Sequence, residues 1–307
     1  MQTRRSFVIT AASLSSLSLA GCLGSDESED AEQSYEDALS LLDENAASLD
    51  EFGEYDEIPE QFDDEEIKQR ADSADEKLDE AESGISDDDQ ELVENARAVA
   101  AYQRTAADYS ALVVDFGRCF DTVDAYVDAD RFEAANDELD ECQDLLAEIQ
   151  DQYEAVDDRH SEIDSDLIED DAKLEYEQLE TNLQVHGAEL DALDRFVDGF
   201  KQFIDGAVVV FEAFEYFDTE AFSSAEPKFR TAEDSFEQSE ETLALLEADP
   251  DTPRQFESDI IEFHCYAESF YEASGHYAES AAAATEGDWN RAEQYAIEGD
   301  AALDQCA

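Results

Sequence analysis

The sequence predicts an all-α protein: antiparallel helical hairpins with heptad-like seams, packed into an elongated bundle of about eight helices. Three observations predict it. From about residue 35 onward the apolar residues alternate in spacings of three and four, which puts them on one helix face and suits packing along a straight seam. Within each pair the stripes are separated by a short turn, so the two helices must run antiparallel and share their apolar faces. The second helix of each later hairpin also opens alike, as Phe132-x-x-Ala135, Phe222-x-x-Ala225 and Trp289-x-x-Ala292.

Taken in order, the chain begins with Thr3-Arg4-Arg5-Ser6-Phe7-Val8, followed by an apolar run over residues 9–20. That run is too short to span a bilayer and is broken by Ser13, Ser15, Ser16 and Ser18. It closes on Leu19-Ala20-Gly21-Cys22. The paired Arg4 and Arg5 resemble the twin-arginine export signal, and Leu-Ala-Gly-Cys resembles a lipobox. The resemblance implies that residues 1–21 are removed, that Cys22 becomes the lipidated first residue, and that the chain folds before export. It places the protein outside the cytoplasm, lipid-anchored to the outer face of the cell membrane. One acyl group holds a protein only marginally, so stable attachment needs two chains on Cys22 or a second contact.

Residues 22–34 are acidic and read as a tether. An N-terminal hairpin is expected over 35–84, built on Tyr35, Ala38, Leu42 and Leu49 and then Ile67, Ala71, Ala74, Leu78 and Ala81, with Pro59 between. The main helical domain is expected over 86–307, as three hairpins at 86–158, 162–248 and 253–307. In the first, Val99, Tyr102, Ala106, Tyr109, Val113 and Phe116 form a heptad stripe, and Phe132, Leu139, Cys142, Leu146 and Ile149 return from the turn. In the second, a long helix carries Leu183, Leu190, Leu193, Val197, Phe200 and Ile204, and Phe222, Phe229, Phe236 and Leu243 return. A second row beside that seam, Phe196, Phe203, Val210 and Phe217, marks this long helix as the central one, with a kink expected near Gly187, Gly199 or Gly206. In the third, Phe256, Ile260, Phe263, Phe270 and Tyr277 lead to a turn at Gly287-Asp288. Ser86 with Asp89 can cap one helix start, and Asp249-Pro250-Asp251-Thr252-Pro253 separates the last two hairpins.

Gly287-Asp288-Trp289-Asn290-Arg291-Ala292 resembles the turn and second helix of a tetratricopeptide repeat. The starts at Phe132, Phe222 and Trp289 are unevenly spaced and lie further apart than the about 34 residues of that repeat, so a regular superhelix is not implied.

The chain carries 86 acidic residues against 17 basic ones, a formal charge of −69. Self-repulsion on that scale opposes a compact state in dilute buffer, whereas at about 1 M salt the screening length falls to about 3 Å. Only five basic residues are lysine and the acids are spread along every segment, so the chain resembles proteins of extreme halophiles. With the export motifs this gives a haloarchaeal-type exported lipoprotein. The charge excludes nucleic acid as a direct partner. Acidic runs such as Asp87-Asp88-Asp89 read as solvated surface, and no calcium-loop pattern accompanies them.

Beyond Cys22 there are four cysteines. Around a turn near 130, Cys119 lies 11 residues before and Cys142 lies 12 after; around a turn near 287, Cys265 lies 22 before and Cys306 lies 19 after. Hairpin geometry therefore puts the first pair level and the second about one helical turn out of level, and disulfides Cys119–Cys142 and Cys265–Cys306 are expected, as suits an extracytoplasmic protein. Buried reduced thiols are the other reading.

Of the four histidines, His160 lies in a polar connection and reads as solvated, while His186 occupies a seam position between Leu183 and Leu190. Glu189 follows three residues later, and this His-x-x-Glu resembles the motif of imelysin-like surface proteins, which are helical and linked to iron. That family has glycine two before the histidine, where this chain has Gln184. Glu268, Glu272 and His276 fall at successive four-residue spacings and could share a face. The paired Glu-x-x-His of di-iron bundles is absent, as are Cys-x-x-Cys-His, glycine-rich phosphate loops and Gly-x-Ser-x-Gly. No cofactor and no enzymatic activity are expected. The sequence thus points to a lipid-anchored helical scaffold or accessory subunit with a protein partner. The alternative is a lipoprotein binding a metal or small ligand at His186 and Glu189.

Overall fold

The computed structural model describes residues 26–53, 62–86, 90–167, 170–249, 252 and 257–306. They form eight α-helices and no strand: α1 (Asp26–Gly53), α2 (Asp64–Glu82), α3 (Gln90–Asp128), α4 (Phe132–Ser161), α5 (Asp170–Asp218), α6 (Phe222–Ala248), α7 (Glu257–Glu286) and α8 (Trp289–Leu303). Single 3-10 turns occupy Ser165–Leu167 and Asp304–Cys306. The expected all-α class is the observed one, and the helices pack against their neighbours in a bundle.

Several expectations need correction or fall outside the described residues, among the latter Pro59 and the Pro250, Asp251, Pro253 and Phe256 positions. First, α1 begins at Asp26, inside the stretch read as a tether. The reason is apolar spacing: Ala31, buried at 4% exposure, stands one turn before Tyr35 and two before Ala38, so the stripe starts earlier than its acidic surroundings suggested. Second, α5 runs unbroken for 49 residues through Gly187, Gly199 and Gly206. Those glycines serve close approach. A Cβ on Gly199 would lie 3.1 Å from Leu243, and one on Gly187 would lie 3.0 Å from the Tyr153 hydroxyl. Third, His160 is buried at 5% exposure in the last turn of α4, edge-on to Tyr102 with ring centroids 6.1 Å apart. It continues the stripe of Ile149, Tyr153 and Val156 and carries that stripe to the helix end. Fourth, the proposed cap at Ser86 and Asp89 involves Asp89, which lies outside the described residues.

The chain divides into two compact units that do not follow the expected boundaries. One combines the described residues up to Arg118 with Asp144–Gly187; the other combines Cys119–Gln143 with Ala188–Ala307. Polar contacts link the N-terminal hairpin to α3 within the first unit. Gln103 Nε2 on α3 donates to the Leu42 carbonyl of α1 at 2.8 Å. Asn45 Nδ2 donates to the Ile67 carbonyl of α2 at 2.9 Å. Along α3, Arg97 reaches Asp79 and Glu82, and seven residues later Arg104 reaches Asp72 and Asp75. Lys68 continues the ladder to Asp108 at 2.5 Å. Such pairs rely on regular spacing along antiparallel helices, with rungs one or two turns apart.

In the second unit α5 is central. Lys201 Nζ reaches Asp140 of α4 at 2.8 Å, and Phe200 packs on Phe120 of α3 with centroids 5.7 Å apart. On its other side Phe203 meets Phe236 of α6 and Phe270 of α7, at 5.3 and 5.5 Å. Ser239, fully buried on α6, donates from Oγ to the Gly199 carbonyl at 2.7 Å, so the buried hydroxyl is satisfied. The hairpin of α7 and α8 is closed by the Tyr277 hydroxyl, which donates to Asp300. Burial, and then this carboxylate, push the Tyr277 phenol above its ordinary pKa.

Candidate functional site

Arg4, Arg5 and Cys22 lie outside the described residues, so the export and lipidation expectations rest on the sequence alone. The other expected residues can be placed. Cys119 and Cys142 have Cα atoms 5.7 Å apart, Cys265 and Cys306 have theirs 5.9 Å apart, and both pairs are at disulfide distance.

His186 is buried at 7% exposure on α5, and Glu189, one turn on, is half-buried. Of Glu268, Glu272 and His276, the last two turn to different partners on the C-terminal elements. His276 Nδ1 turns across to Glu298 of α8 at 3.6 Å, while Glu272 accepts from Gln305 Nε2 at 3.1 Å. Among the described residues no three His, Cys, Asp or Glu side chains come together as a metal site.

The histidine that does gather carboxylates is His264 on α7, which drew no attention in the sequence. Its Nδ1 lies 2.6 Å from Glu247 and its Nε2 lies 3.3 Å from Glu240. The two glutamates are seven residues apart on α6, and that spacing was the available signal. Partial burial works against the imidazolium, but the hydrogen bonds to Glu247 and Glu240 outweigh it and raise the His264 pKa above 6.5.

The most distinctive surface is the turn end of the second unit. All three hairpin turns there have one design. Asp130, Glu220 and Gly287 hold left-handed backbone at φ of 55°, 59° and 83°. In each turn that residue's N–H donates to the carbonyl three before, at 3.0 Å. The next N–H, of Arg131, Ala221 or Asp288, donates to the carbonyl five before, at 2.9 Å. This is the Schellman arrangement, which satisfies the last carbonyls of one helix while the following residue starts the next. The aromatic residue then falls at the first helical position three times, and the buried Ala135, Ala225 and Ala292 let the helices cross closely. Because α4, α5, α6 and α7 alternate in direction, the three turns share one end.

That end exposes apolar side chains. Trp289 is 60% exposed, Phe211 48% and Tyr216 37%. Phe211 stacks on Phe132 with centroids 5.0 Å apart. Beside Trp289 lies a cavity of about 360 Å3 among Phe217, Phe222, Ala284, Trp289, Ala292 and Glu293. The small residues Ala284 and Ala292 leave room at its base, against which Phe222 packs. The sequence repeat Phe222 and Trp289 signalled two of these walls but not the space between them.

Comparison of the chain with protein-family models, curated proteins and solved structures finds no match in any of the three.

Proposed function

We propose that this chain is a non-catalytic scaffold or accessory subunit, lipid-anchored through Cys22 to the outer face of the membrane of a halophilic cell, where it holds a protein partner. The observation that carries the partner claim is the group of exposed aromatic side chains at this end, Phe211, Tyr216 and Trp289, on a strongly acidic chain. Exposed aromatic residues of this kind, rimmed by charge, are the usual composition of a protein contact. The location is supported by Arg4-Arg5, the apolar run and Leu19-Ala20-Gly21-Cys22.

The test is capture of the tagged chain from membranes in molar salt after crosslinking. A stoichiometric protein partner, together with release of the chain into the soluble fraction by Cys22→Ser, is the expected result. Recovery of the chain alone, or unchanged membrane attachment in the variant, contradicts the proposal.

A further inference from the structure

We infer that the cavity beside Trp289 binds a small quaternary ammonium group, held by three aromatic rings and the Glu293 carboxylate. The rings come from three places in the chain. Phe217 is in the last turn of α5, Phe222 begins α6 and Trp289 begins α8. Successive rings meet near right angles: Phe217 and Phe222 at 80° with centroids 5.2 Å apart, Phe222 and Trp289 at 69° and 5.7 Å. In each edge-to-face pair one ring face is taken by its neighbour's edge, and all three rings still line the cavity.

The face of an aromatic ring is electronegative and attracts a desolvated cation, tryptophan most strongly. A methylated ammonium suits such walls better than ammonium or an alkali ion, because its charge is spread over apolar methyl groups and little hydration is lost on entry. Glu293 lies one helical turn beyond Trp289 at the same cavity and supplies the counter-charge. The cavity, at about 360 Å3, has the size of a small-ligand pocket, and Ala284 and Ala292 keep it open. At molar salt the screening length is about 3 Å, so the charge that counts for a bound cation is the adjacent Glu293 carboxylate and not the net charge of the chain. This inference does not depend on the protein-partner proposal, since it is tested on the isolated chain, where Trp289 is exposed.

Trp289 is the only tryptophan in the chain, so its fluorescence reports on this site alone. The experiment titrates the full chain in molar potassium chloride with choline and, separately, with 3,3-dimethylbutan-1-ol, which has the same shape and no charge. Saturable quenching by choline at concentrations at least tenfold lower than any response to the alcohol is expected. Phe222→Leu, which keeps apolar bulk and removes a ring face, should weaken choline binding at least fivefold without changing the weak response to the alcohol. The surface change Glu293→Gln should weaken choline binding about threefold while leaving the helical circular dichroism unaltered. Equal responses to choline and the alcohol, no saturable response to choline, or unchanged choline affinity in both folded variants would overturn the inference.

Discussion

A Cβ placed on Gly206 would lie 2.7 Å from Cε1 of Phe236, so the ring rests directly against the backbone of α5. Phe236 is fully buried and touches Phe203 and Phe270 at 5.3 and 5.2 Å, which leaves the ring little freedom to retreat. Replacing glycine by alanine in a helix ordinarily gains about 1 kcal/mol. Overpacking a core costs about 1 to 3 kcal/mol. Gly206→Ala should therefore lower stability by about 1 kcal/mol in denaturant melts at high salt, against the sign of helix propensity.

The hairpin turns separate backbone strain from packing. Gly287 has φ of 83° and no atom within 4 Å of where a Cβ would stand. Gly287→Ala should cost about 1 kcal/mol from left-handed backbone alone. Glu220 occupies the same conformation at φ of 59° without being glycine, so Glu220→Gly should stabilise by about 0.5 kcal/mol after the entropy of glycine is counted. Equal effects of opposite expectation, measured as shifts in melting midpoint, would deny that the two turns are equivalent.

His264 gives the fold a pH dependence. Its pKa is raised in the folded chain, so its stabilising contribution is complete below the ordinary value of 6.5 and is lost as pH rises through the higher folded value. Stability should fall on going from about pH 6 to about pH 8 by about 0.5 kcal/mol, the range of a partly exposed ion pair. His264→Gln should flatten that limb, and an identical slope in the variant would assign it to other groups.

The cysteine pairs close loops of 23 and 41 residues. On chain-entropy grounds each crosslink stabilises by about 3 to 4 kcal/mol. Cys119→Ser and Cys265→Ser should each lower the melting midpoint clearly, and peptide mapping without reduction should recover Cys119 with Cys142 and Cys265 with Cys306. Free thiols in a folded sample would contradict the pairing.

Much of this architecture was legible because antiparallel hairpins obey a short list of rules. The three-and-four spacing gave the seams, and the Phe132, Phe222 and Trp289 openings marked helix starts that the structure places at those residues. Counting outward from a turn levelled Cys119 with Cys142 without any knowledge of packing. What stayed hidden has physical causes. The start of α1 was obscured because Asp26, Glu27 and Glu29 look like tether, although acids suit the positive end of the helix dipole. Gly206 invited a kink because a missing side chain has the same spelling whether it loosens a helix or admits a ring. The division into two units depends on pairs such as Gln103 with Leu42, 61 residues apart, which leave no periodic trace. His264 has no periodic signature of its own, because its partners Glu240 and Glu247 lie on the neighbouring helix.

If a partner binds the turn end of the second unit, a photo-crosslinking side chain placed in turn at Tyr216 and at Leu245 will distinguish that end from the rest of the exposed apolar surface. Leu245 is 70% exposed but lies near the opposite end of α6, so it controls for exposed apolar character. In membranes held in molar salt, the account predicts an adduct with one defined protein from position 216 and none from 245. Adducts of equal yield from both positions, or none from 216, would contradict it.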